Sequence, residues 1–247
     1  MKWLKLLVLL IGFLGASSTL AYVASSTNYL IQFDSLNTSG VLSTSTNYRT
    51  EDTAGELGTG VATSTSFILR AGYQQMNEVY LAITAPADVT LSPSIPGVSG
   101  GTANGSAVWT VATDNAAGYQ ATIKAGAAPA LFSATASFAD YTPTGAPPDF
   151  TFSVAAADSE FGFTPEGNDI VARFKDNGSA CNTGSGDISD RCWDALSTGG
   201  QTISQSAASN HPSGVATTVK FRAESGASHL QENGVYTATV TVTAVSL

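Results

Sequence analysis

The sequence predicts an all-β protein: an antiparallel β-sandwich, Ig-like or jelly-roll-like, preceded by a short β-hairpin repeat region. Three observations predict it. Apolar and polar residues alternate with a period of two in one segment after another, the pattern of strands with one face buried and one wet. Turn-forming residues divide those segments, among them Gly100-Gly101, Asn104-Gly105, Pro147-Pro148, Asn177-Gly178, Gly199-Gly200 and Asn233-Gly234. A four-residue motif also recurs at a fixed period near the N-terminus. Helical periodicity is almost absent; residues 205–209 suggest a single turn at most.

The first residues read as a secretory leader, residues 1–21. Lys2 and Lys5 supply a positive start, residues 6–14 an apolar run, and Thr19 and Ala21 the small residues of a cleavage site. The apolar run is shorter than the roughly 20 residues that span a bilayer. The expected location is therefore secreted, extracellular or cell-surface, with no membrane association after cleavage. Losing Lys2 and Lys5 takes the basic residues from 10 to 8 against 19 acidic ones, so the net charge moves from −9 to −11. Lys and Arg stand singly, which leaves no electrostatic footprint for nucleic acid.

Residues 22–76 carry the repeat. Ser26-Thr27-Asn28-Tyr29 returns as Ser45-Thr46-Asn47-Tyr48 and, altered, as Ser64-Thr65-Ser66-Phe67, each step 19 residues long. That length holds two short strands and their turns, so the expected unit is a hairpin. Tyr29, Tyr48 and Phe67 would occupy equivalent places and form a buried row.

Residues 81–247 carry the sandwich. Alternation places Val89 with Leu91, Trp109 with Val111, and Tyr119 with Ala121 and Ile123 on inward faces. It does the same for Phe150, Phe152 and Val154, for Ile170, Ala172 and Phe174, and for Val219, Phe221 and Ala223. The last segment is the clearest: Tyr236, Ala238, Val240, Val242 and Ala244 face one way and four threonines the other.

The only two cysteines, Cys181 and Cys192, enclose a loop with little to pack. In an exported chain they are expected to form a disulfide, which by loop-closure entropy stabilises by up to about 3 kcal/mol. Asp176, Asp187, Asp190 and Asp194 around that loop are candidate calcium ligands, since calcium takes hard oxygen ligands on turns. Their spacing is not that of the helix–loop–helix calcium motif, and the same residues serve turns for backbone reasons. No other cofactor is expected, and two sulfurs without a nearby histidine do not make a zinc tetrahedron.

No catalytic residue is assigned. His211 and His229 lie in polar loops, and no serine sits in a nucleophile elbow. Glu160 and Glu166, flanking Phe161-Gly162-Phe163, form the one local carboxylate cluster that a glycoside hydrolase could use. Tyr141, between Asp140 and Thr142-Pro143, and Trp193, beside Cys192, are candidate ligand aromatics for stacking on a sugar.

The Ser-x-Asn-Tyr repeat ending in Ala71-Gly72-Tyr73 resembles the short β-repeats of uncharacterised exported bacterial proteins. Residues 109–111 and 118–120, closing with 234–240, are similar to secreted surface sandwiches, including Trp-x-Leu cell-wall-binding and fimbrial-type domains. The Trp-x-Leu pattern departs at Val111. The resemblance implies a structural or adhesive surface role with no catalytic residues. The expected function is thus a non-enzymatic secreted or cell-surface protein, adding strands to a neighbour. Cell-wall polymer, other surface proteins or further copies in a homo-oligomer are the expected partners. A carbohydrate-binding module and, behind it, a glycoside hydrolase are the alternatives.

Overall fold

The computed structural model describes residues 39–44, 49–55, 60–63, 68–72 and 79–247. The expected leader and the three motif copies at 26–29, 45–48 and 64–67, with their aromatic row, lie outside the described residues. The chain divides into two compact units, Met1–Glu78 and Val79–Leu247.

The first unit contains two antiparallel hairpins. Strand β1 (Ser39–Thr44) pairs with β2 (Arg49–Ala54), with Ser39 opposite Ala54 and Thr44 opposite Arg49. Strand β3 (Gly60–Thr63) pairs with β4 (Ile68–Ala71), with Gly60 opposite Ala71. Both first strands carry a Gly-Val pair, Gly40-Val41 within β1 and Gly60-Val61 opening β3, and each hairpin forms a two-stranded sheet of its own.

The second unit is an all-β sandwich. Its strands are β5 (Leu81–Thr84), β6 (Gly101–Thr113), β7 (Tyr119–Ala125), β8 (Ala139–Asp140), β9 (Ser159–Glu166), β10 (Asp194–Ala195), β11 (Gln201–Ser206), β12 (Val215–Ser225) and β13 (Val240–Ser246). The larger sheet runs β10-β9-β12-β6-β5, with the short β8 joining β9 in parallel; the smaller runs β11-β7-β13. All other pairings are antiparallel.

The strongest alternations become the long central strands. In β12, Thr217, Val219, Phe221, Ala223 and Ser225 are buried while Lys220 and Arg222 point the other way. In β7, Tyr119, Ala121, Ile123 and Ala125 are buried. Trp109, Phe161, Phe163, Phe174, Leu196 and Ile203 complete a core between the sheets, with Phe161 stacked on Phe221 at 6.1 Å. A second, smaller cluster gathers Val111, Tyr119 and Ala121, with Leu81, Val242 and Ala244 against it.

Three expected segments differ. Residues 150–154 form no strand: Phe152 leaves the core to join Tyr141 and Trp193 on the outside of the larger sheet. Residues 170–174 bend through one 3₁₀ turn, Ala172–Phe174, which still buries Ile170 and Phe174. Around Val89 and Leu91 the ladder shrinks to a single bridge from Ser92 to Asn104.

Strand β9 was disguised by its Gly162 and Pro165, both poor strand residues. Strand β10 covers only Gly162 and Phe163, so beyond them β9 is an edge where proline is tolerated. Gly162 has a packing reason. A Cβ there would lie 2.9 Å from the Phe152 ring, the Tyr141 Cβ and the Asp194 carbonyl oxygen.

Candidate functional site

The chemistry-bearing side chains collect on the outer face of the larger sheet and in the loop beside it. Cys181 and Cys192 are disulfide-bonded, with Cα atoms 5.6 Å apart. The loop they close is organised by Asp176, which is 1% exposed. One oxygen of its carboxylate accepts from the Gly178 N–H at 2.7 Å and the other from the Ile188 N–H at 2.9 Å. Its main chain exchanges two bonds with Gly186, at 3.0 and 2.9 Å. A buried carboxylate with this many N–H donors is a structural hub, because an unbonded one would be costly to bury.

The other candidate calcium ligands are also committed. Asp187 accepts from the Gly167 N–H at 2.8 Å. Burial holds its carboxyl above the usual range, with Glu166 and Asp176 adding to the effect and the Gly167 bond opposing it. Asp190 accepts from the Lys220 amine at 3.2 Å. Asp194 lies on β10, paired with Arg173 and accepting from the Gln201 amide at 2.8 Å. The structure therefore does not bring Asp176, Asp187, Asp190 and Asp194 into one coordination sphere. Among the described residues no group of three or more His, Cys, Asp or Glu is arranged to hold a metal ion.

Lys220 ties the loop to the sheet. Its amine lies 3.0 Å from Glu166, 3.2 Å from Asp190 and 2.6 Å from the Ser189 hydroxyl. Burial pulls its affinity for a proton down, but the bonds and charges of Glu166 and Asp190 outweigh that and raise it. Lys220 is thus a charged anchor.

Both candidate ligand aromatics are buried, which corrects the expectation of a sugar-stacking surface. Tyr141 is 2% exposed and Trp193 is 1% exposed. Tyr141 stacks on Phe152 at 4.2 Å, and Phe152 meets Trp193 edge-on at 5.2 Å. The Arg222 guanidinium closes the stack from the sheet side, 4.6 Å from the Trp193 ring. The Tyr141 hydroxyl donates to Asp149 at 3.0 Å, and burial, then Asp149, pushes its pKa up to about 12. Trp193 donates to the Asp190 carbonyl at 3.1 Å. Neither ring offers a face to a ligand.

The Glu160 and Glu166 pair is likewise separated. They sit six residues apart on one strand, which at the usual rise places them about 20 Å apart. Glycosidic carboxylates lie within roughly 5–9.5 Å of each other. Glu160 instead stands opposite Glu224 of β12, whose carboxylate accepts from the Thr102 hydroxyl at 3.3 Å. Burial raises the Glu160 carboxyl; Thr142 hydrogen bonds oppose this, and Asp158 and Glu224 add to it. That pairing of strands β9 and β12 had no local signal, since the two residues are distant in the chain. His211 packs edge-on against Tyr80 at 4.9 Å, and His229 bonds the Ala157 carbonyl at 2.9 Å.

The sheet margins remain. The outer side of β11 is closed: Val171 donates to Ile203 at 3.1 Å, Gln205 donates to Asp169 at 2.8 Å, and a bulge lies between Thr202 and Ser204. Strand β10 is two residues long, and β5 is four, followed by Pro86. Strand β13 is different. It is seven residues, Val-Thr-Val-Thr-Ala-Val-Ser, with no charge and no proline. Among the described residues its side away from β7 makes no main-chain hydrogen bond, although β5 passes close by, with Cα atoms of the two strands within 8 Å.

Among the described residues no helix is long and apolar enough to cross a membrane. Comparison of the chain with family models, curated proteins and solved structures finds no match.

Proposed function

We propose that this is an exported, non-enzymatic surface protein that assembles with neighbours by β-strand addition at the open edge of β13. The edge carries the reading. Natural sheets blunt such margins with lysine, proline or bulges, and β13 has none of these; β5 passes near it without a main-chain bond. Seven residues present about 23 Å of main-chain donors and acceptors to an incoming strand.

The hairpins supply a second support. An isolated two-stranded hairpin is marginal in water, so β1–β2 and β3–β4 are suited to being completed by another sheet. Export is the third: the leader at 1–21 and the Cys181–Cys192 disulfide both fit an oxidising destination. Partners of this kind are a second copy or another surface protein.

Amide hydrogen exchange tests the reading on the oxidised full chain. Protection over 240–246 should rise with protein concentration while that of 201–206 stays constant. Protection of 240–246 that does not change with concentration would defeat it. Fractionation of cells and medium with an intact mass measurement tests export separately: the secreted chain should lack residues 1–21.

A further inference from the structure

We propose that Asn233 is a site of spontaneous covalent modification, deamidating through a cyclic imide formed with Gly234. Three Asn-Gly pairs occur in the chain: Asn104-Gly105, Asn177-Gly178 and Asn233-Gly234. Glycine has no Cβ to shield its main-chain nitrogen or restrict its dihedrals, so this pair is the one most open to attack of that nitrogen on the preceding side chain. The Gly234 nitrogen forms a bond to Asn233 Cγ and the Cγ–Nδ2 bond breaks. The main-chain proton leaves with the amide as ammonia. Water then opens the ring at either carbonyl, giving aspartate or isoaspartate. Nothing is oxidised or reduced, and water is the only reactant consumed.

The reaction needs a carboxamide free to turn and a main-chain nitrogen free to attack. Two of the three pairs are denied both. Asn104 lies within β6, opposite Arg222, whose guanidinium donates to its side-chain oxygen at 2.8 Å. The Asn104 N–H donates to Ser92 at 2.9 Å, and Gly105 pairs with Phe221. The Asn177 side-chain oxygen accepts from the Ser179 N–H and hydroxyl, both at 3.0 Å, and from the Ala180 N–H at 2.9 Å. The Gly178 N–H is held by the buried Asp176 at 2.7 Å.

Asn233 is exposed in the turn that precedes β13. Among the described residues neither its carboxamide nor the Gly234 N–H has a hydrogen-bond partner. The surroundings leave room for the ring: the nearest atoms to a Cβ on Gly234 are side-chain atoms of Ser133 and Tyr236, at 3.5–3.9 Å. Glu232, next in the chain, is tethered by the Thr135 hydroxyl at 2.8 Å, so the modified residue adds a charge beside an existing one. Isoaspartate would also lengthen the main chain of this turn by one carbon.

The test holds the oxidised full chain in warm, mildly alkaline buffer and maps tryptic peptides over time. The three pairs fall on separate peptides, 71–124, 176–191 and 223–247. Peptide 223–247 should acquire the amide-to-acid mass gain and an isoaspartyl form, while the other two pairs keep their amides. On isoelectric focusing, Asn233→Gln should abolish the accumulating acidic species, and Gly234→Ala, whose methyl fits, should slow it. Conversion of Asn177 or Asn104 as early as Asn233, or an acidic species that persists in Asn233→Gln, would overturn the proposal.

Discussion

Strands β11 and β13 flank the same central strand, β7, yet one edge is shut and the other open. Across β11 lies the segment 169–171, bonded to Ile203 and Gln205, and behind it the chain runs through the 3₁₀ turn into the disulfide loop. Across β13 nothing in the described main chain is bonded. The difference does not arise from composition, for both strands are uncharged and rich in hydroxyls. It arises from what lies alongside: a sheet margin is closed by chain bonded across it, as 169–171 is across β11.

Four substitutions sharpen this contrast. The largest effect belongs to the closed side. Ile203→Ala removes a side chain that is 1% exposed in the core, and chemical denaturation should show a loss of about 2–5 kcal/mol. Next is the clasp behind the covering segment. Replacing Cys181 and Cys192 together by alanine should cost up to about 3 kcal/mol by loop-closure entropy. It should also speed amide exchange over 201–206, because 169–176 then loses its anchor, while 240–246 is unaffected.

Glu160→Gln acts on the other sheet and serves as a control. The fold raises this carboxyl, chiefly by burial, so the folded state holds the proton more tightly than the unfolded chain. Stability therefore increases as pH falls through the raised value toward the ordinary glutamate range, and the full cost of ionisation stands above it. The variant should be more stable at neutral pH by about 0.5 kcal/mol or less, given solvent screening, and should lose part of that acid-side gain. Neither edge should change. The smallest effect on stability is expected from Thr243→Lys, an exposed change on β13, within about 0.5 kcal/mol. Its consequence should fall on assembly alone, since a lysine on an edge discourages strand addition.

The fold was legible where alternation was long and clean. The alternation at Tyr119, Ala121 and Ile123 announced β7, that at Val219, Phe221 and Ala223 announced β12, and the cysteine pair in a loop with little to pack announced its bond. Strand β9 was hidden because Gly162 and Pro165 mimic a loop, and only the three-dimensional approach of Phe152 and Tyr141 explains the glycine. The same approach misled the reading of Tyr141. Flanked by Asp140 and Thr142-Pro143 it resembles an exposed loop aromatic, yet its N–H donates to Phe161 at 2.8 Å and its ring is buried. Local sequence carries polarity and turn chemistry, but not which distant strand will supply a covering face. For that reason the Glu160–Glu224 pair, the Arg222–Trp193 stack and the Asp176 hub were all invisible, and four aspartates looked like one cluster.

Sedimentation velocity of the oxidised full chain over a wide concentration range decides whether β13 is an acceptor edge. Association should grow with concentration and be lost in Thr241→Lys/Thr243→Lys, whose circular dichroism and denaturation midpoint stay close to those of the parent. A parent chain that sediments as a monomer throughout, or association undiminished by the two lysines, would contradict it.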